Sequence, residues 1–289
     1  LLKHRLLTAV LGIPLLIYLI YLGSLPLFLA VSILFFLGLR EYMNIAEKAG
    51  YSPLKLSMYI GGFLLIGETY LYNGMFATFA FFIVFMLLVI ELVLSNKINL
   101  ATIAVSFFGV IYLSLLKYIL LLREFQDGFT IILMVFVLTW AVDTGAYFSG
   151  RLFGNKKLAP SISPNKTWEG AIGGTIATML VAVILYLTVV PSWVFTVNWV
   201  FTGSGIITAM ILGLLISLAG QFGDLLASLL KRSANVKDSG NLLPGHGGVL
   251  DRFDSILFTA PVTFYFIVHV IPRFISGVCT CGPIPNIFQ

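Results

Sequence analysis

Phe76-Ala-Thr-Phe-Ala-Phe-Phe-Ile-Val-Phe-Met-Leu-Leu-Val-Ile-Glu-Leu-Val-Leu94 decides the fold. Its 19 residues carry a single charge, Glu91, near one end. A helix needs about 20 mostly apolar residues to cross the hydrocarbon core of a bilayer. Working outward, eight further segments meet that criterion: Leu6–Leu22, Leu25–Ile45, Leu56–Tyr72, Leu100–Leu122, Phe129–Gly150, Ala171–Val190, Gly205–Leu230 and Ser255–Phe274. Arg40 and Glu41 shorten the apolar run of the second of these nine segments. The reading is an all-α integral membrane protein, a polytopic bundle of about nine transmembrane helices.

Composition agrees. Of 289 residues 59% are apolar and only 10% charged, with a mean hydropathy of +1.03. Soluble domains carry about a quarter charged residues, so this chain could not cover a water-facing surface. A cytosolic enzyme, a disordered chain and a disulfide scaffold are excluded. Cys279 and Cys281, one residue apart, form no metal or disulfide framework and are read as incidental.

The net charge of +5 would ordinarily raise nucleic acid as a partner, but membrane topology explains it better. With nine spans, 14 of the 17 Lys and Arg residues fall on one side, leaving only Lys117, Arg123 and Arg273 on the other. By the positive-inside rule the rich side is cytoplasmic. The N-terminus is expected inside and the C-terminus outside, in the inner (cytoplasmic) membrane. Leu6–Leu22 behind Lys3, His4 and Arg5 resembles a signal peptide, but no small-residue cleavage site follows, so it is read as an uncleaved first span.

The two halves differ in chemistry. Residues 1–126 contain no aspartate, whereas Asp127, Asp143, Asp224, Asp238, Asp251 and Asp254 all lie beyond. Residues 1–126 are therefore read as scaffold helices. Residues 127–289 are read as the catalytic region, with polar cytoplasmic loops at 151–170 and 231–254. No internal repeat supports a transporter built from inverted halves.

The densest polar stretch runs from Ser228 to Asp254. It holds Lys231, Arg232, Lys237 and Arg252, the carboxylates Asp238, Asp251 and Asp254, and His246. Cations neutralise phosphate, and carboxylates hold a hard cation such as Mg²⁺ that bridges phosphate oxygens. Gly245, Gly247 and Gly248 flank His246 and allow backbone N–H groups to approach an anion. A solvated positive-inside loop would explain the cations but neither the aspartates nor the glycines. His246 reads equally as a phosphate donor or acid and as a structural turn residue.

Gln221, Asp224, Ser228 and Lys231 recur at helical spacing and share one face of the eighth segment. A carboxylate at membrane depth is costly unless it meets a partner or a wet cavity, so Asp224 is read as a metal ligand. Asp251 and Asp254 lie on one face of a helical turn and are read as further ligands, although either would also serve as a helix cap. Asp143, on a face with Trp140 and Tyr147, completes the metal shell or orients a lysine. Ser163-Pro-Asn-Lys-Thr-Trp-Glu-Gly170 presents Asn165 and Lys166 to a phosphate just before the seventh segment.

These residues resemble the phosphatidate cytidylyltransferase (CDP-diglyceride synthase) family. The shared pattern is Ser228, Lys231-Arg232, Lys237-Asp238 with Gly240, the Pro244-Gly-His-Gly-Gly248 turn and Asp251-Arg-x-Asp254. The Asp143 and Ser163–Gly170 segments resemble it as well. The resemblance implies transfer of CMP from CTP to phosphatidic acid, giving CDP-diacylglycerol and pyrophosphate. It also implies Mg²⁺ dependence, with a second metal ion allowed, and a homodimer. A CTP-dependent polyprenol kinase and an ion-coupled transporter are the rival readings.

Overall fold

The computed structural model describes residues 2–95, 99–189, 203–240 and 247–270. Gly245, His246 and the two cysteines lie outside the described residues. All nine expected segments coincide with helical regions. These are α1 Leu2–Leu22, α2 Ser24–Lys48, α3 Lys55–Tyr72, α4 Ala77–Leu94, α5 Leu100–Ser114 running through a 3₁₀ turn into α6 Tyr118–Arg123, α7 Gly128–Phe153, α8 Trp168–Thr188, α9 Gly203–Ser233, and the short α10 Leu250–Phe253 leading into α11 Ile256–Tyr265 and a π-helical turn. Among the described residues seven are long and apolar enough to span a bilayer, so the chain is a multi-pass membrane protein. The two that fall short are α1, whose described apolar part is Val10–Leu22, and α3. In α3, Lys55, Glu68 and three glycines dilute an 18-residue helix.

The described residues divide into two compact units, the first drawn from 1–125 with 229–253 and the second from 126–228 with 254–270. Residues 125 and 126 fall in different units, and the described residues of the polar loop up to 253 group with the N-terminal helices.

In the first unit, α2, α3 and α5 interlock through glycines. The Phe35 ring lies against Gly62, where a Cβ would stand 2.1 Å from it, and Tyr42 and Met58 lie against Gly109. Phe35, Leu39, Met58 and Leu65 are fully buried there. Tyr42 donates its hydroxyl to the Val105 carbonyl at 2.8 Å, linking α2 to α5. The end of α1 is closed by Arg123, which donates to the Ile20 and Tyr21 carbonyls at 3.0 and 3.3 Å. A helix terminus leaves such carbonyls without intrahelical partners.

The second unit is built on a close α7–α8 crossing. A Cβ at Gly174 would stand 2.8 Å from the Val142 carbonyl, and one at Gly145 would stand 2.6 Å from the Ala177 Cβ. In α8 the buried positions Gly170, Gly174, Thr178 and Ala182 repeat every four residues. The large residues Ile172, Ile176, Leu180 and Ile184 repeat on the exposed face. Small residues inside and large apolar ones outside is the pattern of a helix with lipid around it, where close backbone packing replaces the hydrophobic drive. Leu138, Ala182, Leu212, Ile216 and Phe266 form a core behind this crossing.

Candidate active site

The loop joining α7 to α8 folds as a small antiparallel hairpin, β1 Lys157–Ala159 with β2 Ser163–Thr167, pairing Lys157 with Thr167 and Ala159 with Ser163. Its base is fixed twice. Thr167 caps α8 by accepting from the Gly170 N–H at 3.1 Å. The Glu169 carboxylate accepts from the backbone N–H groups of Asn155 and Lys156 at 3.1 and 3.2 Å. Lys166 is thereby presented one residue before the cap, and its Nζ lies 2.6 Å from Asp224 Oδ2.

Beneath that ion pair, Gln221 donates to Ser217 Oγ at 2.8 Å and to the Ala171 carbonyl at 3.3 Å. Thr175 and Ser217 share a 2.9 Å hydrogen bond. These bonds tie α8 to α9 with polar groups and set the height at which Asp224 emerges. Asp143, Arg151, Asn165, Lys166, Gln221 and Asp224 line one open cavity of about 540 Å³. The three expected site residues on separate elements, Asp143 of α7, Lys166 of the hairpin and Asp224 of α9, therefore meet. Ser228 lies one turn on, 3.4 Å from Asp224 Oδ1. A mainly apolar cavity of about 330 Å³ adjoins, sharing Leu158, Ala171 and Gln221 and lined by Trp168, Ile176 and Phe222. Asp254, also in this unit, accepts from the N–H of the adjacent Ser255 at 2.7 Å.

The first unit holds the remaining predicted residues that the structure describes. Asp251 Oδ1 accepts from Lys231 Nζ at 2.6 Å. Its Oδ2 accepts from Ser239 N, Ser239 Oγ and Gly248 N at 2.8, 2.9 and 3.0 Å. The Gly248 N–H, expected to face an anion ligand, is thus donated to a carboxylate of the chain itself. Gly247 adopts φ +81°, a left-handed conformation suited to glycine. Arg232, Lys237, Asp238 and Arg252 are exposed.

One residue of this loop's surroundings escaped the sequence reading. Glu41 of α2 is 7% exposed and accepts from Ser239 Oγ, Val249 N and Leu250 N, each at 2.9 Å. Its only signal in the sequence is a charge that, with Arg40, shortens the apolar run of the second segment.

Among the described residues no three His, Cys, Asp or Glu side chains gather as a metal cage. The second unit's cavity nevertheless suits Mg²⁺, because Asp143 and Asp224 both line it. That ion typically takes one or two carboxylates, completing its shell with water and substrate phosphate oxygens. Asp251, engaged by four donors, meets that requirement only if Lys231 gives way.

A multi-pass membrane protein that sets carboxylates, a lysine and amide side chains around an open cavity, with a cation-rich loop elsewhere, is of the class that handles phosphate groups at a lipid surface. The cytidylyltransferase family profile matches residues 3–270, and the chain belongs to that family. It is 34% identical to the phosphatidate cytidylyltransferase of Synechocystis sp., over 93% of this chain and 97% of that protein. It is 33% identical to the enzyme of that name from Bacillus subtilis, over 92% and 97%. The Haemophilus influenzae phosphatidate cytidylyltransferase is 45% identical over half of the chain.

Proposed function

We propose that the chain transfers CMP from CTP to phosphatidic acid, giving CDP-diacylglycerol and pyrophosphate. The observation that carries this reading is end-to-end similarity to phosphatidate cytidylyltransferases in a chain whose α7, hairpin and α9 converge Asp143, Lys166 and Asp224 on one cavity. A phosphatidate oxygen attacks the α-phosphorus of CTP. As that P–O bond forms, the bond from the α-phosphorus to the bridging oxygen of the β-phosphate breaks and pyrophosphate leaves. A phosphate monoester has a second pKa of about 6, so the nucleophile is already charged at neutral pH and needs no general base. Catalysis then consists of positioning and charge stabilisation.

Lys166 neutralises a phosphate, and Asn165 and Gln221 orient oxygens by donating from their amides. Asp143 and Asp224 are the residues that would hold Mg²⁺, which when bound offsets charge on the phosphates. The adjoining apolar cavity suits the glyceride end of the lipid. In the first unit, Arg232, Lys237 and Arg252 offer exposed charge to a polyanion, around the Lys231–Asp251 pair. We place both polar faces on the cytoplasmic side of the inner membrane, where CTP is available, and expect a homodimer, as the family resemblance implies.

The test is pyrophosphate release by detergent-purified protein. Release that requires both CTP and phosphatidic acid, stops with EDTA, and is lost in Asp224→Asn is the expected result. CDP appearing in place of pyrophosphate, or no turnover by folded protein supplied with lipid and Mg²⁺, would sink the reading.

A further inference from the structure

Glu41 is a buried carboxylate, and among the described residues its three donors all come from the polar loop some 200 positions later in the sequence. In sequence Ser239 precedes the glycine-rich stretch 245–248, and Val249 and Leu250 follow it. Its grip is close enough to dictate glycine on both flanks. A Cβ at Gly240 would stand 2.6 Å from Glu41 Oε1, and one at Gly248 would stand 2.3 Å from Oε2. Two glycines of the Lys237–Asp254 pattern thus lie where a side chain would crowd Glu41, and at Gly248 Ser239 Oγ as well.

Asp251 holds the same two flanks from within the loop, through Ser239 N and Gly248 N. Ser239 Oγ lies 2.9 Å from both carboxylates, so its single O–H proton is shared between Glu41 and Asp251. The chain of contacts runs from α2 through Ser239 to Asp251, and from there to Lys231 Nζ at 2.6 Å. Moving the Glu41 carboxylate would move the group that aims Lys231.

We infer that Glu41 is a positioning residue: its carboxylate pins residues 239–240 and 248–250 together and so sets where the loop presents Lys231, Asp251 and Arg252. It touches no substrate itself. The inference rests on the cytidylyltransferase reading for its kinetic consequence but not for its structural one, and the two are measured separately.

The experiment compares wild type, Glu41→Gln, Ser239→Ala and the double variant in the pyrophosphate assay, with kcat counted per folded molecule. The glutamine has the same shape but puts an amide N–H₂ where a donor must be received. The expected result for Glu41→Gln is a fall in kcat of roughly 10- to 100-fold, the size of effect that follows when groups are misplaced by about an ångström. The KM for phosphatidic acid should stay within about two-fold, since uniform binding is not what the loop's aim supplies. The double variant should lose less than the product of the single losses, because both changes break the same link. Glu41→Asp, which keeps the charge one methylene short, should recover part of kcat.

Amide hydrogen exchange gives a readout independent of turnover. The Val249 and Leu250 amides should lose protection in Glu41→Gln while amides of α4 keep theirs. Wild-type kcat per folded molecule, strictly multiplicative losses, or unchanged exchange at Val249 and Leu250 would overturn the inference. If Glu41→Gln does not fold, Ser239→Ala decides alone, with wild-type kcat counting against it. Absence of pyrophosphate release by the wild type would fell the functional reading, and the exchange result would still decide the pinning.

Discussion

Two lysine–aspartate pairs with the same 2.6 Å separation lead to different expectations because their surroundings differ. The Lys166 and Asp224 side chains are 27% and 33% exposed. A pair that wet contributes about 0–1 kcal/mol to stability. Lys166→Ala is therefore expected to leave the thermal midpoint nearly unchanged while lowering kcat/KM by roughly 10²–10³-fold, the loss typical of one group aimed at developing charge. The Lys231 and Asp251 side chains are 14% and 9% exposed. Removing one partner of a buried pair leaves a stranded charge, at a cost of about 3–5 kcal/mol. Asp251→Asn should thus lower the thermal midpoint by several degrees as well as lowering turnover, and a thermal midpoint equal to wild type would show that the pair is loose. Asp143, Lys166, Asp224 and Asp251 were all legible in the sequence, because a charged residue beside an apolar span needs a reason. The role of Glu41 was not, because a hydrogen bond from Ser239 or Val249 to a residue about 200 positions earlier leaves no local pattern.

At the scale of elements, length and hydropathy located the helices but not their inner faces. In α8 the usual reading of large apolar residues as core is inverted, since Gly170, Gly174 and Thr178 are buried and Ile172, Ile176 and Leu180 are exposed. Gly174→Val should be severely destabilising, because its new Cβ would meet the backbone carbonyl of Val142, which cannot rotate away. Overpacking of this kind costs about 1–3 kcal/mol or more, read as a lower thermal midpoint in detergent. Ile176→Val on the exposed face should be nearly silent. The hairpin between α7 and α8 was expected only as a polar loop, since strands of three and five residues are too short to show a period of two. Thr167→Ala removes the α8 cap and should cost about 0.5–2 kcal/mol. It should also raise the KM for CTP if Lys166 is held in place by that cap.

For the whole molecule, the distribution of Lys and Arg gives an orientation that labelling can check. In a background with Cys279 and Cys281 replaced by serine, Ser161→Cys in the hairpin should resist a membrane-impermeant thiol reagent in intact cells and react after lysis. Asn73→Cys, in the α3–α4 turn, should react in both. The reverse pattern would invert the topology. The first unit draws its residues from both ends of this long path, 1–125 and 229–253. Glu41 has a temporal consequence as well as a geometric one. Its donors begin 198 residues later in the chain, at Ser239, and end 209 residues later, at Leu250. At a synthesis rate of about 5–20 residues per second, roughly 10–40 s pass between the appearance of this carboxylate and that of the groups that match it. During that interval the nascent N-terminal helices sit in the membrane with an unmatched acid near the end of α2. The groups from Ser239 to Leu250 must be made before the first-made part of the protein can close.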